Sequence, residues 1–276
     1  MLKDVTLGQF FPGNSIVHRT DARIKLLCVI AYIVGIFLAK SAAAYALVLV
    51  ATVLLALVSS IPMSTLLKSL KPLTFIIIIT SIINIFWYTA PEGAVPLVEF
   101  WKIKIYAGGL MTAVYMILRI ACLIVGTSVL LTYTTSPIAL TDAIESLLVP
   151  LKIIKLPVHE FAMMMTIALR FIPTLIEETN KIMAAQKSRG ADFSSGGLIK
   201  RAKAMIPIII PLFISAFRRA DDLAIAMECR CYRGGSGRTK MNIKKLAPTD
   251  ILLPLFTAAI IAGAVLLNKF VPFNIV

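Results

Sequence analysis

Residues 42–58 read AAAYALVLVATVLLALV, and this uncharged apolar stretch decides the fold class. A helix needs roughly 17 to 25 predominantly apolar residues to cross a bilayer, so Ala42–Val58 is long enough for one span. A second apolar stretch, Ile24–Ala39, precedes it, and only Lys40 and Ser41 lie between the two. The sequence therefore predicts that the membrane region begins with a hairpin of two transmembrane helices.

Three further apolar segments predict transmembrane helices at Leu73–Ala90, Ala107–Thr132 and Leu246–Leu267. Residues 91–106 hold two prolines, two Glu and two Lys, which predicts a loop on the far side of the membrane, with a short strand pair as an option. The predicted fold class is an all-α integral membrane protein with about five transmembrane helices. Long amphipathic helices on the cytoplasmic side complete it.

The composition supports this class and excludes others. The chain has 276 residues, of which 59% are hydrophobic and 15% charged, whereas soluble domains are about 45–50% apolar and about 25% charged. The apolar excess excludes a disordered chain and an ordinary soluble enzyme. A net charge of +14 would suit a nucleic-acid-binding protein, but such a protein has no need of so much apolar surface. We therefore expect a lipid bilayer, and no nucleic acid, as a partner.

The basic residues predict the orientation of the chain, because Lys and Arg are retained on the cytoplasmic side of membranes. Residues 134–245 contain 17 of the 28 Lys and Arg and 9 of the 14 Asp and Glu. Basic residues also precede the first span and follow the second, at Arg19, Arg23 and Lys25 and at Lys68 and Lys71. We therefore expect a multi-pass protein of the cell membrane with a cytoplasmic N-terminus.

These features divide the chain into three predicted regions. Residues 1–133 form an N-terminal membrane domain with about four spans, and residues 246–276 form a C-terminal transmembrane helix. Residues 134–245 alternate charged and apolar stretches, which predicts helices lying at or just under the membrane surface. The middle region is the part of the chain that a soluble partner could reach.

Two helices of the middle region have recognisable ends. One is predicted to begin at Thr174, where Thr174 and Glu177 form a capping box, and to end at Gly190. The other has a stripe of apolar and small residues between Phe213 and Met227 and is predicted to end at Gly234–Gly235. Both predictions rest on helical spacing and on glycine as a helix terminator.

Near each helix end an arginine stands between small residues, as Ser188-Arg189-Gly190 and Cys229-Arg230-Cys231. A cation near the C-terminus of a helix complements the helix dipole, by about 0.3–1 kcal/mol, and this explains one such arginine. Two of them indicate a second role. A guanidinium can bind a carboxylate through two parallel hydrogen bonds, so the pair predicts two contact points for a soluble partner.

Around these residues the sequence resembles the T component (EcfT) of energy-coupling factor transporters, which are ABC-type importers of vitamins and metals. The similar stretches cover nearly the whole chain: LGQFFPG at 7–13, HR at 18–19, DAR at 21–23, ALRFIP at 168–173, AQKSRGA at 185–191, RRA at 218–220 and YRG at 232–234. Members carry two X-Arg-X motifs, usually Ala-Arg-Gly, which correspond here to Ser188–Gly190 and Cys229–Cys231. The second motif departs from the pattern, since cysteine stands on both sides of Arg230.

The resemblance implies that residues 134–245 are a coupling domain and that the chain is a non-catalytic scaffold without cofactors. The two X-Arg-X helix ends would dock into two cytosolic ABC ATPases, and the membrane face would hold one exchangeable substrate-binding S component. ATP-driven movements of the ATPases would then reorient the S component and release a vitamin or another micronutrient inside. The alternatives are a permease subunit of a dedicated cobalt, nickel or biotin importer of the same superfamily and a stand-alone membrane carrier.

Other residues allow two interpretations or exclude rival functions. Met163, Met164 and Met165 either fill a core or provide an adaptable contact for S components, because thioether side chains are flexible. Arg119, near the middle of the fourth span, is expected to face protein or water because a buried charge in a span costs about 2.5–3.5 kcal/mol. The four cysteines and two histidines lack the spacing of a metal site.

Two further motifs have simpler explanations. GGSGRTK at 234–240 lacks the Gly-Lys-Ser/Thr order of a phosphate-binding loop and is interpreted as a linker. The acidic pairs Glu177-Glu178 and Asp221-Asp222 are attributed to helix capping and to pairing with Arg218 and Arg219, which argues against a membrane enzyme.

Overall fold

The structure is a computed structural model that describes residues 10–87, 98–100, 103–154, 157–193, 197–235 and 247–270. Its helices and strands follow in chain order: α1 Ile16–Arg19, α2 Ala22–Leu38, α3 Ala42–Val58, α4 Met63–Leu70, α5 Thr74–Phe86, β1 Val98–Phe100, β2 Ile103–Ile105, α6 Ala107–Thr127, α7 Pro137–Leu148, α8 Val158–Ser188, α9 Leu198–Cys229 and α10 Thr249–Phe270. A 3₁₀ turn at Lys71–Leu73 joins α4 to α5, a π-helical turn at Ser128–Tyr133 extends α6, and a 3₁₀ turn at Val149–Ile154 follows α7. The described residues form two compact units, one with residues 144–235 and one with residues 10–143 and 247–270.

The helices confirm an all-α membrane protein. Within the described residues, four segments are long and apolar enough to cross a membrane: Met63–Phe86, Ala107–Tyr133, Val158–Ser188 and Thr249–Phe270. The helix α3 is also apolar but shorter. Three of the four segments overlap the predicted third, fourth and fifth spans, and Ala107–Tyr133 contains the predicted fourth span completely. The remaining candidate span is α8, which lies in the region that was predicted to be cytoplasmic. The predicted first span corresponds to α2, whose 17 residues give about 25 Å of helix, at the lower end of the spanning range.

The loop before α6 contains the strand pair that the sequence left as an option. β1 and β2 pair antiparallel, with Glu99 opposite Lys104. The predicted end of the third span at Ala90 lies outside the described residues. The division at 133/134 and 245/246 stays a prediction.

Tyr32 is the centre of the larger unit. Its side chain is 1% exposed, and its hydroxyl lies 2.6 Å from Thr52 Oγ1 of α3 and donates to Cys122 O of α6 at 3.0 Å. The ring packs against Gly126, where an added Cβ would lie 2.5 Å from Tyr32 Cζ. One tyrosine of α2 therefore holds three helices together, and α6 approaches it closely only because residue 126 is glycine.

Two buried charged residues tie the start of α2 to neighbouring segments. Lys25 Nζ donates to Thr134 O at 2.8 Å, at the end of the π-helical turn. The Asp250 carboxylate of α10 accepts from the backbone amides of Asp21 and Ala247, each at 2.8 Å. Lys25 is 1% and Asp250 3% exposed, so these hydrogen bonds must compensate for the free energy that each charge loses when it leaves water. The N-terminal ends of α2 and α10 are thereby fixed by polar contacts.

At the opposite end of this unit, polar side chains complete the turn between α2 and α3. Asn268 of α10 accepts from the amides of Lys40 and Ser41 at 3.0 Å and donates to Leu38 O at 2.6 Å. Arg119 of α6 donates to the Tyr45 hydroxyl, and its guanidinium lies 3.5 Å from Ala39 O. The prediction that Arg119 faces protein is confirmed.

The smaller unit contains the two longest helices, α8 and α9, with 31 and 32 residues. The predicted helix start at Thr174 is wrong, because α8 begins at Val158 and continues through Pro173. Proline removes one backbone hydrogen-bond donor from the helix, but α8 remains helical on both sides of Pro173. The predicted end of the second helix at Gly234–Gly235 is also wrong, since α9 ends at Cys229.

Candidate functional site

The end of α8 is closed by backbone hydrogen bonds. Arg189 is the C-cap, and Gly190 follows with a left-handed φ of 84°. The amide of Gly190 donates to Lys187 O at 3.0 Å, and the amide of Ala191 donates to Gln186 O at 3.0 Å. These two bonds define a Schellman motif, which satisfies carbonyls that a helix end otherwise leaves open.

The end of α9 has the same geometry with different residues. Arg230 is the C-cap, and Cys231 takes the left-handed position with φ 55°. The amide of Cys231 donates to Glu228 O at 2.8 Å, and the amide of Tyr232 donates to Met227 O at 3.0 Å. The cysteines beside Arg230 therefore leave the helix end unchanged, although an L-residue in this conformation costs roughly 1–2 kcal/mol.

Both arginines are free to contact a partner. The side chains of Arg189 and Arg230 are exposed, and within the described part of the chain neither guanidinium has a hydrogen-bond or ion-pair partner. Backbone amides already bind the carbonyls of Gln186 and Lys187 in α8 and of Met227 and Glu228 in α9, so the arginine side chains are not needed to cap those four. The flanking residues add no bulk, since Ser188 Oγ donates to Ala185 O at 2.8 Å, and the space beside Gly190 is open. The geometry therefore leaves two guanidinium groups projecting from matching helix ends.

An ion pair links the two helices. Arg219 Nη2 of α9 donates to Glu178 Oε2 of α8 at 2.5 Å, and the side chains are 37% and 22% exposed respectively. Arg218 and Arg219 were predicted to pair with acidic residues, and for Arg219 the partner is Glu178 of the neighbouring helix. Sequence spacing identifies partners four residues apart on one helix but gives no register between two helices.

Large apolar side chains along α8 and α9 are uncovered in this chain. Met164 and Met165 are 58% and 40% exposed, and only Met163 is half-buried, so core filling does not explain the first two. On α9 the exposed set is larger: Ile199, Met205, Ile206, Ile209, Ile210, Phe213, Ile214, Phe217 and Ile225. Apolar surface of this extent is found where lipid or another protein covers it.

The N-terminal stretch has a structural role that the sequence did not reveal. The amide of Phe11 donates to Tyr133 O at 2.9 Å, and the His18 ring lies within hydrogen-bond distance of Phe11 O and Ser15 Oγ. Burial lowers the pKa of His18 and the Lys25 charge adds to this, while the hydrogen bond to Phe11 O opposes it. A neutral ring satisfies both contacts, with Nε2–H donating to the carbonyl and Nδ1 accepting from the serine.

The described residues include no group of three or more His, Cys, Asp and Glu side chains that could hold a metal ion. Cys229 and Cys231 are exposed free thiols beside Arg230. Together these features define a multi-pass, all-α membrane protein in which two long helices each end at an exposed arginine.

Comparison with known proteins identifies the family. Residues 13–241 match the family described as cobalt transport protein. The chain is 52% identical over 273 residues to the energy-coupling factor transporter transmembrane protein EcfT of Acidaminococcus fermentans, covering 99% of this chain and 100% of that protein. For the same-named proteins of Clostridium kluyveri and Bacillus subtilis the identities are 50% over 267 residues and 44% over 266, covering 96% of this chain in both cases and 97% and 98% of those proteins. The chain belongs to the cobalt transport protein family, among the transmembrane proteins of energy-coupling factor transporters.

Proposed function

We propose that this chain is the membrane scaffold of an energy-coupling factor importer for a vitamin or another micronutrient. In this role it transmits the movements of two cytosolic ABC ATPases to one substrate-binding S component. The chain itself hydrolyses nothing and needs no cofactor. Its N-terminus and the helix ends at Arg189 and Arg230 lie on the cytoplasmic side, where basic residues are retained.

The observation that carries the proposal is the identical closure of two helix ends around exposed arginines. Ser188–Gly190 and Cys229–Cys231 differ in sequence, yet both place arginine at the C-cap and satisfy the helix carbonyls with backbone amides. Both guanidinium groups are exposed, and neither has a partner among the described residues, so the repeated geometry favours contact with an anionic partner. Two equivalent ends fit a partner with two equivalent sockets, as an ATPase pair provides.

The membrane-embedded partner is proposed from the uncovered apolar surface. Met164 and Met165, with Met163 beside them, present flexible thioether side chains that can adapt to different S components. The exposed apolar residues of α9 extend this surface. An S component together with lipid would cover it.

Co-purification tests the proposal. The variant Arg189→Ala/Arg230→Ala is expected to remain in the membrane and retain the S component, but to lose the ATPases and ATP-dependent uptake. Lys187→Ala is the matched control, because it removes an exposed cation from the same turn of α8 while leaving the helix end intact. Normal ATPase recovery and uptake in the double arginine variant would disprove the docking role.

A second candidate is a permease subunit of a dedicated cobalt, nickel or biotin importer, which the family description favours for cobalt. The same co-purification distinguishes the two. A shared scaffold is expected to bring down several S components from its native membrane, whereas a dedicated subunit brings down one.

A further inference from the structure

The ion pair between α8 and α9 lies at equal distances from the two arginine ends. Glu178 is eleven residues before Arg189, and Arg219 is eleven residues before Arg230. At 1.5 Å and 100° per residue, eleven residues correspond to about 16 Å and to three turns plus about 20°. Each member of the pair therefore projects from nearly the same helix face as the arginine at the end of its helix.

Chain connectivity decides how the two ends point. From Glu178 and Arg219 as the crossing point, Arg189 lies about 16 Å along α8, and Leu198 lies about 32 Å back along α9. If the helices ran in parallel, the connection from Arg189 to Leu198 would have to span about 48 Å, but nine residue steps reach only about 31 Å. The helices must therefore run in largely opposite directions, so that their arginine ends diverge.

The same limits give the distance between the ends. With a helix-to-helix distance of about 8–10 Å, a connection of about 31 Å requires the directions of α8 and α9 to differ by more than about 110°. The two arginine Cα atoms are then about 30 to 35 Å apart. The separation depends on the crossing angle, which the contacts at the crossing must hold.

Few buried apolar side chains lie along α8 and α9 to hold their crossing angle. Among the described residues, those of α8 after Ala162 and those of α9 after Ile208 include none that is buried in this chain. The Glu178–Arg219 pair is a direct polar contact at the crossing, with the glutamate side chain more enclosed than the arginine.

We propose that Glu178 and Arg219 are positioning residues that hold Arg189 and Arg230 at a separation matched to two acidic sockets on a dimeric partner. This inference rests on the proposed function. A two-point attachment can exceed a single one by a factor of 10² to 10⁴ in affinity, but only if the spacing of the two points fits the partner. The pair would thus contribute to docking without touching the partner.

Spin-label distances in the purified full chain test the positioning directly. Ser188→Cys introduces a thiol at the position equivalent to the native Cys229, and Cys231→Gly removes the neighbouring thiol without changing the left-handed turn. Cys28 and Cys122 are 3% and 4% exposed and stay unlabelled. We expect one narrow distance distribution, which Glu178→Arg broadens and shifts by several ångströms through repulsion of Arg219.

Two variants serve as controls for this measurement. Glu178→Arg/Arg219→Glu exchanges the charges and is expected to restore the narrow distribution. Glu177→Arg makes the same charge change at the exposed neighbouring position and is expected to leave it unchanged. An unaltered distribution in Glu178→Arg, with the fold intact by thermal unfolding, would overturn the proposal.

The affinity of the chain for the ATPase pair provides a second, functional test of the proposal. Glu178→Arg is expected to weaken binding by about 10- to 100-fold, by losing the two-point advantage. In the Arg189→Ala background only one end remains, so Glu178→Arg is expected to have no further effect, and an equal loss there would refute spacing as the cause. If Arg189→Ala/Arg230→Ala binds normally, the proposed function fails, while the distance measurement still decides whether the ion pair sets the spacing.

Discussion

Gly126→Ala is expected to destabilise the protein by inserting one methyl group against a ring that cannot move away. The added Cβ would lie 2.5 Å from Tyr32 Cζ, about 1 Å inside normal contact distance. Tyr32 is 1% exposed, and its hydroxyl contacts Thr52 and Cys122 O, so a shift of the ring would sacrifice hydrogen bonds to α3 and α6.

The size of the effect follows from two opposing contributions. Overpacking of a tight core costs typically about 1–3 kcal/mol, and the locked ring favours the upper end of this range. Alanine in place of glycine within a helix returns about 0.5–1 kcal/mol. We therefore expect a net loss of about 2 kcal/mol, which corresponds to a lowering of Tm by about 4–8 °C for a chain of this size.

Thiol-reactive fluorescence during heating measures this change, because Cys28 and Cys122 are buried in the same core and react only on unfolding. Cys229 and Cys231 are first replaced by alanine and glycine so that they contribute no background. Gly263→Ala is the control, since its Cβ would meet the end of the flexible Leu47 side chain at 2.9 Å. We expect it to cost less than half as much.

A double-mutant cycle decides whether the clash is the cause. Tyr32→Leu destabilises by itself, but it removes the ring that the new methyl group would strike. Gly126→Ala is therefore expected to cost little in the Tyr32→Leu background. The reasoning is refuted if Gly126→Ala lowers Tm equally with and without the ring.

Two further predictions concern the helix end and the N-terminal turn. Cys231→Gly is expected to stabilise the end of α9 by about 0.5–1 kcal/mol and Gly190→Ala to destabilise the end of α8 by a similar amount, because φ is left-handed at both positions. Slower hydrogen exchange at the Tyr232 amide and faster exchange at the Ala191 amide would confirm this, and unchanged rates would contradict it. The lowered pKa of His18 means that the unfolded chain binds more protons, so its contribution is fully present above about pH 6.5 and is lost as the pH falls through the folded pKa. His18→Gln should make Tm less dependent on pH below 6.5, and an unchanged slope would exclude His18 as the source.

Much of the membrane region could be predicted from sequence because lipid imposes a simple length rule. Ala42–Val58 is helical from its first to its last predicted residue, and the bounds of α6 and α10 lie close to the predicted ones. The errors fall where two signals compete. Thr174 and Glu177 make a good capping box, but the apolar turns before Pro173 continue the helix through it.

The candidate site was predictable in its residues and unpredictable in its geometry. An arginine before a helix break is visible in the sequence at both ends, and the structure places Arg189 and Arg230 at matching C-caps. The partner of Arg219 was not visible, since a contact across 41 residues depends on how two helices cross. The same holds for Lys25 and Asp250, whose burial results from packing between distant segments.

The contrast between the helices and their crossing indicates where movement can occur. Beyond the crossing, residues 178–188 of α8 and 219–229 of α9 are continuous helix without proline, since Pro173, Pro207 and Pro211 lie before it. Bending either arm would break several backbone hydrogen bonds, with about 0.5–1.5 kcal/mol lost for each. The crossing is held by half-buried side chains and by the Glu178–Arg219 pair, and a partly exposed ion pair is worth only about 0.2–1 kcal/mol. If ATPases dock at Arg189 and Arg230 as proposed, a force that they apply there would therefore change the angle between the helices before it bends them. Each arm extends about 16 Å from the crossing, so the effect of a change of about 20° in the crossing angle depends on the angle itself. When the helices are nearly antiparallel, such a change alters the separation of the two ends by only a few ångströms or less. When they cross more steeply, it alters the separation by more. In the proposed function, the crossing angle of α8 and α9 would thus set how strongly a movement of the ATPases is transmitted.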